Sequence, residues 1–298
     1  MYKLGLKLWS SNKNYIQEAQ RLYDNGICQY IELFAVPGTF DDVIGLWKEL
    51  KIPFIIHAPH FREGLNFARP ECLGNNKKLA REALMFADAL DAQQVIFHPG
   101  VDGDIKETVH QLKQLFDPRM VIENKPYCSD DGKLVCNGFT PDDIAYLVAQ
   151  TGVGFCLDIA HAICAANALK KEPIGFIKDF LNLTPQVFHI SDNEWESMRD
   201  THKHLGHGSF KFKEIIQLLP SGSKITLETP HDYRDSLRDF EQDVITLKSF
   251  IQRAKSQELC LSVASASDIH DIYSLANDSV VRKNSLKQDE ISWDAHIA

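Results

Sequence analysis

The 298-residue chain is long enough for one large α/β barrel, ordinarily ~250 residues, or for two smaller domains. A net charge of −9 argues against a broad basic field wrapping nucleic acid. No apolar run approaches the ~20 residues that span a bilayer, which excludes a helical membrane protein. The start, Met1-Tyr2-Lys3, leads into an alternating apolar stretch without an h-region or cleavage site, so a cytoplasmic location is expected. The seven cysteines are odd in number and lack CxxC spacing, which predicts reduced, buried thiols instead of a disulfide framework.

In chain order, strand-length apolar runs occupy Leu4–Trp9, Gln29–Phe34, Phe54–Ala58, Gln94–Pro99, Met120–Asn124, Gly154–Asp158, Val187–Ser191 and Ile225–Glu228. Helical periods alternate with them at Tyr15–Asp24, Phe40–Leu50, Lys78–Leu90, Ile105–Phe116, Pro141–Gln150, Ala162–Leu181, Phe210–Leu219 and Tyr233–Lys255. Eight βα units predict a (β/α)₈ TIM barrel with a short C-terminal appendage. A doubly wound sheet would need a Gly-rich turn after the first strand, where Trp9-Ser10-Ser11-Asn12 stands instead. Long loops follow the third strand (Pro59–Asn76) and the fifth (Lys125–Phe139), at the end where barrels build their sites. The barrel is assigned to residues 1–257 and the appendage to 258–298, with a short strand expected at Leu259–Val263 and a helix near Asp268–Asp278.

Metal-capable residues recur at the strand ends. His57, His98, Glu123, Asp158, His161, His189 and Glu228 end or follow strands three to eight, and Asp200 and His202 lie on the loop after the seventh. Barrel strands converge, so these groups share one pocket despite their separation in sequence. A single strand-end histidine such as His98 is ordinarily a hydrogen-bonded structural residue. A carboxylate closing a buried run, as Glu123 and Glu228 do, costs several kcal/mol if unpaired. Six strand ends with such residues point jointly to metal. Mixed imidazole and carboxylate donors suit Zn²⁺ or Mn²⁺, and the number of donors allows one to three ions. His60 suits a loop or substrate contact equally well, and so do His204 and His207. His110, His231, His270 and His296 read as surface residues.

The ordered set His57-Ala58-Pro59, His98-Pro99-Gly100, Glu123-Asn124, Leu157-Asp158-x-x-His161, His189-x-x-Asp192, Asp200-x-His202-x-x-Leu205-Gly206-x-Gly208 and Leu227-Glu228-Thr229-Pro230 resembles the xylose isomerase-like TIM barrels. That superfamily includes sugar isomerases, epimerases and type-IV apurinic endonucleases. The sugar branch implies one ion on Glu123, Asp158, His189 and Glu228, with Glu123 and Glu228 as catalytic proton carriers. The endonuclease branch implies three zinc ions on the whole set. His60-Phe61-Arg62-Glu63-Gly64 and Asn124-Lys125-Pro126-Tyr127 depart from the endonuclease pattern, while Glu32 is similar to the sugar branch. A sugar isomerase or epimerase is therefore expected, with Glu32, His60, Arg62, Lys125 and Tyr127 near a small substrate. A zinc-dependent phosphodiester hydrolase and a non-catalytic binding barrel are the alternatives.

The tail, Ala266-Ser267-Asp268-Ile269 through Ile291-Ser292-Trp293-Asp294, resembles the opening of a GNAT-type N-acetyltransferase acting on amino sugars. It stops short of an acetyl-CoA loop. The resemblance implies a fragment of a two-domain protein, with a place in surface-glycan biosynthesis.

Overall fold

The computed structural model describes residues 2–255, 265–285 and 287–297. Eight parallel strands close into a barrel in sequence order. They are β1 Lys3–Trp9, β2 Tyr30–Phe34, β3 Phe54–His57, β4 Val95–Phe97, β5 Met120–Glu123, β6 Gly154–Asp158, β7 Val187–Ile190 and β8 Lys224–Leu227. Consecutive parallel strands need long crossovers, and helices supply them. The first five are α1 Ile16–Asp24, α2 Phe40–Lys48, α3 Leu73–Ala89, α4 Ile105–Leu115 and α5 Pro141–Thr151. After them come α6 Ile159–Ala168, α7 Pro173–Leu181, α8 Phe212–Leu218 and α9 Arg238–Lys255.

Two departures from the sequence pattern have local causes. The single helical period read over Ala162–Leu181 is two helices. Pro173 cannot sit inside a helix, and the Glu172 carboxylate caps the new start through the amides of Ile174 and Gly175. Lys170, at φ 56°, makes the left-handed break between them. The last barrel helix begins at Arg238 and not at Tyr233. The Asp239 carboxylate at its start accepts the Asp232 amide and holds the preceding loop beside it.

The site follows from period two along the strands. Residues i and i+2 face the same side, so each strand contributes an inner layer and, two residues on, an upper layer. The lower pairing runs through Tyr30, Ile55, Ile96, Val121, Cys156 and Val187, a buried cluster inside the barrel. Two residues above them stand Glu32, His57, His98, Glu123, Asp158 and His189, all buried. β1 and β8 follow suit with Gly5 below Lys7 and Thr226 below Glu228. Gly5 is required there, because a Cβ would collide with the Tyr30 ring. The larger apolar core, including Leu6, Leu33, Phe97, Ile122, Leu157 and Phe188, lies on the other strand face against the helices.

The chain forms two compact units, Met1–Lys255 and Ser256–Ala298. In the second, α10 Ile269–Ala276, α11 Ser279–Lys283 and α12 Trp293–Ile297 bury no side chain among the described residues. His270 stacks on Trp293 with ring centroids 4.6 Å apart. The strand expected at Leu259–Val263 and the boundary between 257 and 258 lie outside the described residues. No described helix is long and apolar enough to cross a membrane.

Candidate metal centre

Glu123, 1% exposed, is the hub. Its Oε2 lies 3.1 Å from His57 Nε2, 3.1 Å from His98 Nε2 and 3.4 Å from His189 Nδ1. Its Oε1 lies 3.0 Å from His161 Nδ1 and 3.4 Å from Lys125 Nζ. Burial alone would raise this carboxyl. The charges of His98, Lys125 and His189 outweigh burial and hold it well below the usual carboxylate range.

The ligand-capable atoms sort into five overlapping sets among the described residues, two of which bring Cys156 and Glu32 beside His189. His57, His98 and Glu123 form one; His161, Asp200 and His202 form another. Between them lie Glu123, Asp158, His189 and Glu228, with His189 Nδ1 3.2 Å from Glu228 Oε1 and 3.9 Å from Asp158 Oδ2. Asp158 is pushed up to about 6 by its burial, with Asp200, Glu123 and Glu228 adding to the rise. His161 goes the other way from burial. Asp158, Asp200 and Glu123 push it up to about 10, and Asp200 beside His202 pushes that imidazole up to about 9.

The outer nitrogen of several rings is already committed. A carbonyl oxygen only accepts, so the ring nitrogen facing it donates. His57 Nδ1 donates to Ala58 O at 2.8 Å, His161 Nδ1 to Asn124 O at 2.9 Å and His202 Nδ1 to Glu228 O at 3.0 Å. His189 Nε2 lies 2.9 Å from Glu32 Oε2 in the same role. The remaining nitrogen of each ring is thereby aimed at carboxylates, the orientation that outer partners impose on metal-bound histidine. Asp158 Oδ2, His189 Nδ1 and Asp200 Oδ2 are also buried without a hydrogen-bond partner. At His57, whose burial holds the ring below the usual imidazole range, the inward nitrogen meets the Glu123 carboxylate acceptor to acceptor. Together with the orphaned atoms, this fits divalent cations of the zinc or manganese kind.

The loop after β7 delivers two of these ligands because Asp192 ties it down. Asp192 Oδ2 accepts the amides of Gly206 at 2.8 Å and Gly208 at 3.0 Å, and Asp192 pairs through its backbone with Lys203. His202 sits at φ 45°, an uncommon conformation for a bulky residue that such over-determined loops sustain. The Leu205-Gly206-x-Gly208 run is thus an anchor for Asp200 and His202, not part of the pocket wall.

A cavity of about 320 Å³ opens above the centre, which is small-molecule size. His57, His98, Glu123, His161, Asp200, His202 and Glu228 line it, as do His60, Arg62 and Lys125. Two residues expected near substrate do not. Glu32 is fully buried below, held by Lys7, His189 and Thr226. Tyr127 packs edge-on against Phe139 at 5.1 Å, outside the wall. His204, for which a ligand role was one reading, pairs with Asp243 at 2.8 Å and Asp232 at 3.1 Å instead. His231, read as a surface residue, is packed in: its Nε2 donates to Lys7 O at 2.8 Å and its ring meets Trp9.

Lys7 and Trp9 line the cavity and were missed. The signal for Lys7 was available, a lone lysine amid the apolar residues of Leu4–Trp9. Its Nζ reaches Glu32 Oε1 at 2.6 Å and Glu228 Oε1 at 2.5 Å. Burial would lower it, but the charges of Glu228 and Glu32 keep the ammonium protonated beyond the ordinary lysine range. Trp9, 41% exposed, forms an apolar side of the mouth with Phe34, whose ring lies 6.3 Å away.

Comparison with known proteins places this geometry. The chain is 30% identical over 205 residues to a probable endonuclease 4 of Mycobacterium bovis (strain BCG / Pasteur 1173P2), covering 65% of this chain and 79% of that protein. A probable endonuclease 4 of Shouchella clausii is 22% identical over 222 residues, covering 65% and 74%. Among solved structures, endonuclease IV from Thermus thermophilus superposes with a TM-score of 0.64 at 20% identity, over 84% of this chain and 99% of that one. The 3-keto-D-glucoside 4-epimerase of E. coli superposes with a TM-score of 0.62 at 14% identity, over 84% and 100%. At these identities the structures speak for the fold alone. The acetyltransferase resemblance of the tail lies beyond the matched family region and remains a proposal. Residues 24–250 match the family described as xylose isomerase-like TIM barrel, and the chain belongs to that family.

Proposed function

We propose that this chain is a divalent-metal-dependent phosphoester hydrolase acting on a compact sugar derivative. The observation that carries the reading is the crowding of His57, His98, His161 and His189 around Glu123 beneath one small cavity, with Asp200 and His202 joined on through His161. An isomerase of this family needs only the central group. Two additional groups, His57 with His98 and His161 with Asp200 and His202, match the multi-ion demand of phosphoester cleavage. When bound, the ions supply Lewis acidity toward phosphoryl oxygens and a nucleophile at neutral pH. The residues named hold and orient them. Lys125, partly buried against Glu123 and His98, adds a positive charge facing the cavity.

A compact substrate is favoured over duplex DNA by the rim. Phosphate contacts supply much of the affinity for DNA, so a DNA rim needs uncommitted cations. Here Arg62 is paired with Asp130 at 2.6 Å, both of them lining the cavity. Trp9 and Phe34, their rings tilted 45° to each other, instead offer an apolar side suited to the C–H face of a sugar ring.

Isomerase or epimerase chemistry is the second reading. The central group of Glu123, Asp158, His189 and Glu228 is complete, and Glu123 and Glu228 both face the cavity. The metal-loaded protein should be tested with Zn²⁺ and Mn²⁺ on sugar phosphates, nucleotide sugars, aldoses and ketoses, and an abasic duplex. Phosphate or nucleotide release from the sugar panel, lost in Glu228→Gln, supports the proposal. Solvent-deuterium incorporation without such release promotes the isomerase. Incision of the abasic duplex alone returns the chain to nuclease chemistry.

A further inference from the structure

We infer that Lys7 is a positioning residue for the metal centre, holding the Glu228 carboxylate while Glu32 clamps both Lys7 and the imidazole of His189. The inference rests on the metal-centre reading above and goes beyond it in naming what aligns the ligands. Lys7 projects into the barrel from β1, in register opposite Glu32 on β2. It is 6% exposed.

The geometry forms one continuous chain of contacts. Lys7 Nζ donates to Glu228 Oε1 at 2.5 Å and to Glu32 Oε1 at 2.6 Å. The other Glu32 oxygen meets His189 Nε2 at 2.9 Å and accepts from Thr226 Oγ1 at 2.6 Å. Thr226 in turn meets the Tyr30 hydroxyl at 2.9 Å. One carboxylate therefore orients both His189, directly, and Glu228, through an ammonium. It is not among the expected ligands, though near enough to His189 and Glu228 to form a ligand-capable set with them. The Glu228 backbone is fixed by its amide on Ile190 O at 3.0 Å, and the Lys7 ammonium fixes the carboxylate at the other end of the side chain.

Packing does not ask for a lysine here. Apolar residues of similar volume ordinarily replace a buried ion pair at little or no cost in stability. What the pair supplies is orientation. Partners that orient metal ligands typically change metal affinity by ~10–100-fold when removed.

The sign of a single substitution would be ambiguous, because Lys7→Met also changes the charge of the site and leaves the buried Glu32 Oε1 without its donor. The double variant Lys7→Met/Glu32→Gln removes one charge of each sign and leaves the site's net charge unchanged, so it isolates positioning. The Glu32→Gln change does not itself release His189, since an amide oxygen still accepts from Nε2. Co²⁺ titration of the full chain, followed by visible absorption and by metal content after gel filtration, reads the outcome without turnover. We expect the double variant to bind Co²⁺ ~10–100-fold more weakly than the unmodified protein, with a changed ligand-field spectrum and unchanged far-UV circular dichroism. Lys7→Arg, which keeps charge and donors, should restore the original spectrum. If the double variant binds Co²⁺ with the original affinity and spectrum, the role given to Lys7 is wrong while the metal centre stands. If the unmodified chain takes up no Co²⁺, the metal-centre reading fails and this inference with it.

Discussion

The Asp192 carboxylate and the amide of Gly208 lie 3.0 Å apart, and this contact fixes the loop that brings Asp200 and His202 to the centre. Gly208 has no room for a side chain. A Cβ would run into the Asn193 carbonyl and the Asp192 carboxylate. Gly208→Ala should therefore displace the loop and lower metal content by the ion assigned to His161, Asp200 and His202. Far-UV circular dichroism should show the barrel intact. Metal analysis after reconstitution checks this; full retention of metal would show that the loop tolerates the shift.

Glu123 belongs to more than one ligand group, so its loss should be felt by all of them. Glu123→Gln should lower total bound metal below that of His57→Ala, which removes a donor from one group only. His110→Ala, on the exposed face of α4, should match the unmodified protein. Equal metal loss in Glu123→Gln and His57→Ala would refute the shared-ligand arrangement.

His204 offers a pH test away from the centre. Burial would lower its pKa, but hydrogen bonding to Asp243 and the charges of Asp243 and Asp232 raise it. A raised folded pKa means the folded state binds the proton more tightly. Its stabilising contribution is full below the unfolded histidine value of ~6.5 and is lost as pH rises through the folded value. The difference in melting temperature between the unmodified protein and His204→Gln should thus shrink from about pH 6 toward alkaline pH. A difference that grows with pH would reverse the assignment.

Trp9 should report on substrate. Stacking by an aromatic ring contributes about 0.5–1.5 kcal/mol beyond area burial, so Trp9→Ala should raise KM by roughly 3–10-fold with little change in metal content. Ligand binding should also shift the fluorescence of Trp9, which is far more exposed than the buried Trp47. An unchanged KM would remove Trp9 from the binding surface.

The unit Met1–Lys255 contains all eight barrel strands and the helices α1 to α9 that surround them. A chain truncated after Lys255 should fold and take up metal as the full chain does. Loss of barrel folding on truncation would show that the tail is structural.

The sequence pattern located all eight strands as apolar runs, and most of them also end on a chemically distinctive residue two positions along the inward face. His57, Glu123, Asp158 and His189 stood out for that reason. Lys7 did not, because a lysine in a strand ordinarily reads as a solvent-facing residue and its partners Glu32 and Glu228 are distant in sequence. Glu32 was noticed, yet its depth below the cavity depends on barrel register, which no local pattern carries. The split between α6 and α7 was marked by Pro173, but the apolar period on either side masked it. Asp192 stood out in the sequence only as part of the motif His189-x-x-Asp192. Only the folded loop shows its oxygens spent on backbone amides.

The self-paired charges around the cavity bear on how a substrate arrives. Long-range attraction accelerates encounter only where one sign of charge dominates the entrance. At this mouth Arg62 and Asp130, both lining the cavity, cancel at close range. Their fields fade within a few ångströms of the surface. Capture should then proceed at an unaccelerated diffusive rate that changes little between low and physiological ionic strength. Discrimination between ligands falls to the steps after entry, where the buried charges act at contact distance and bulk salt does not reach.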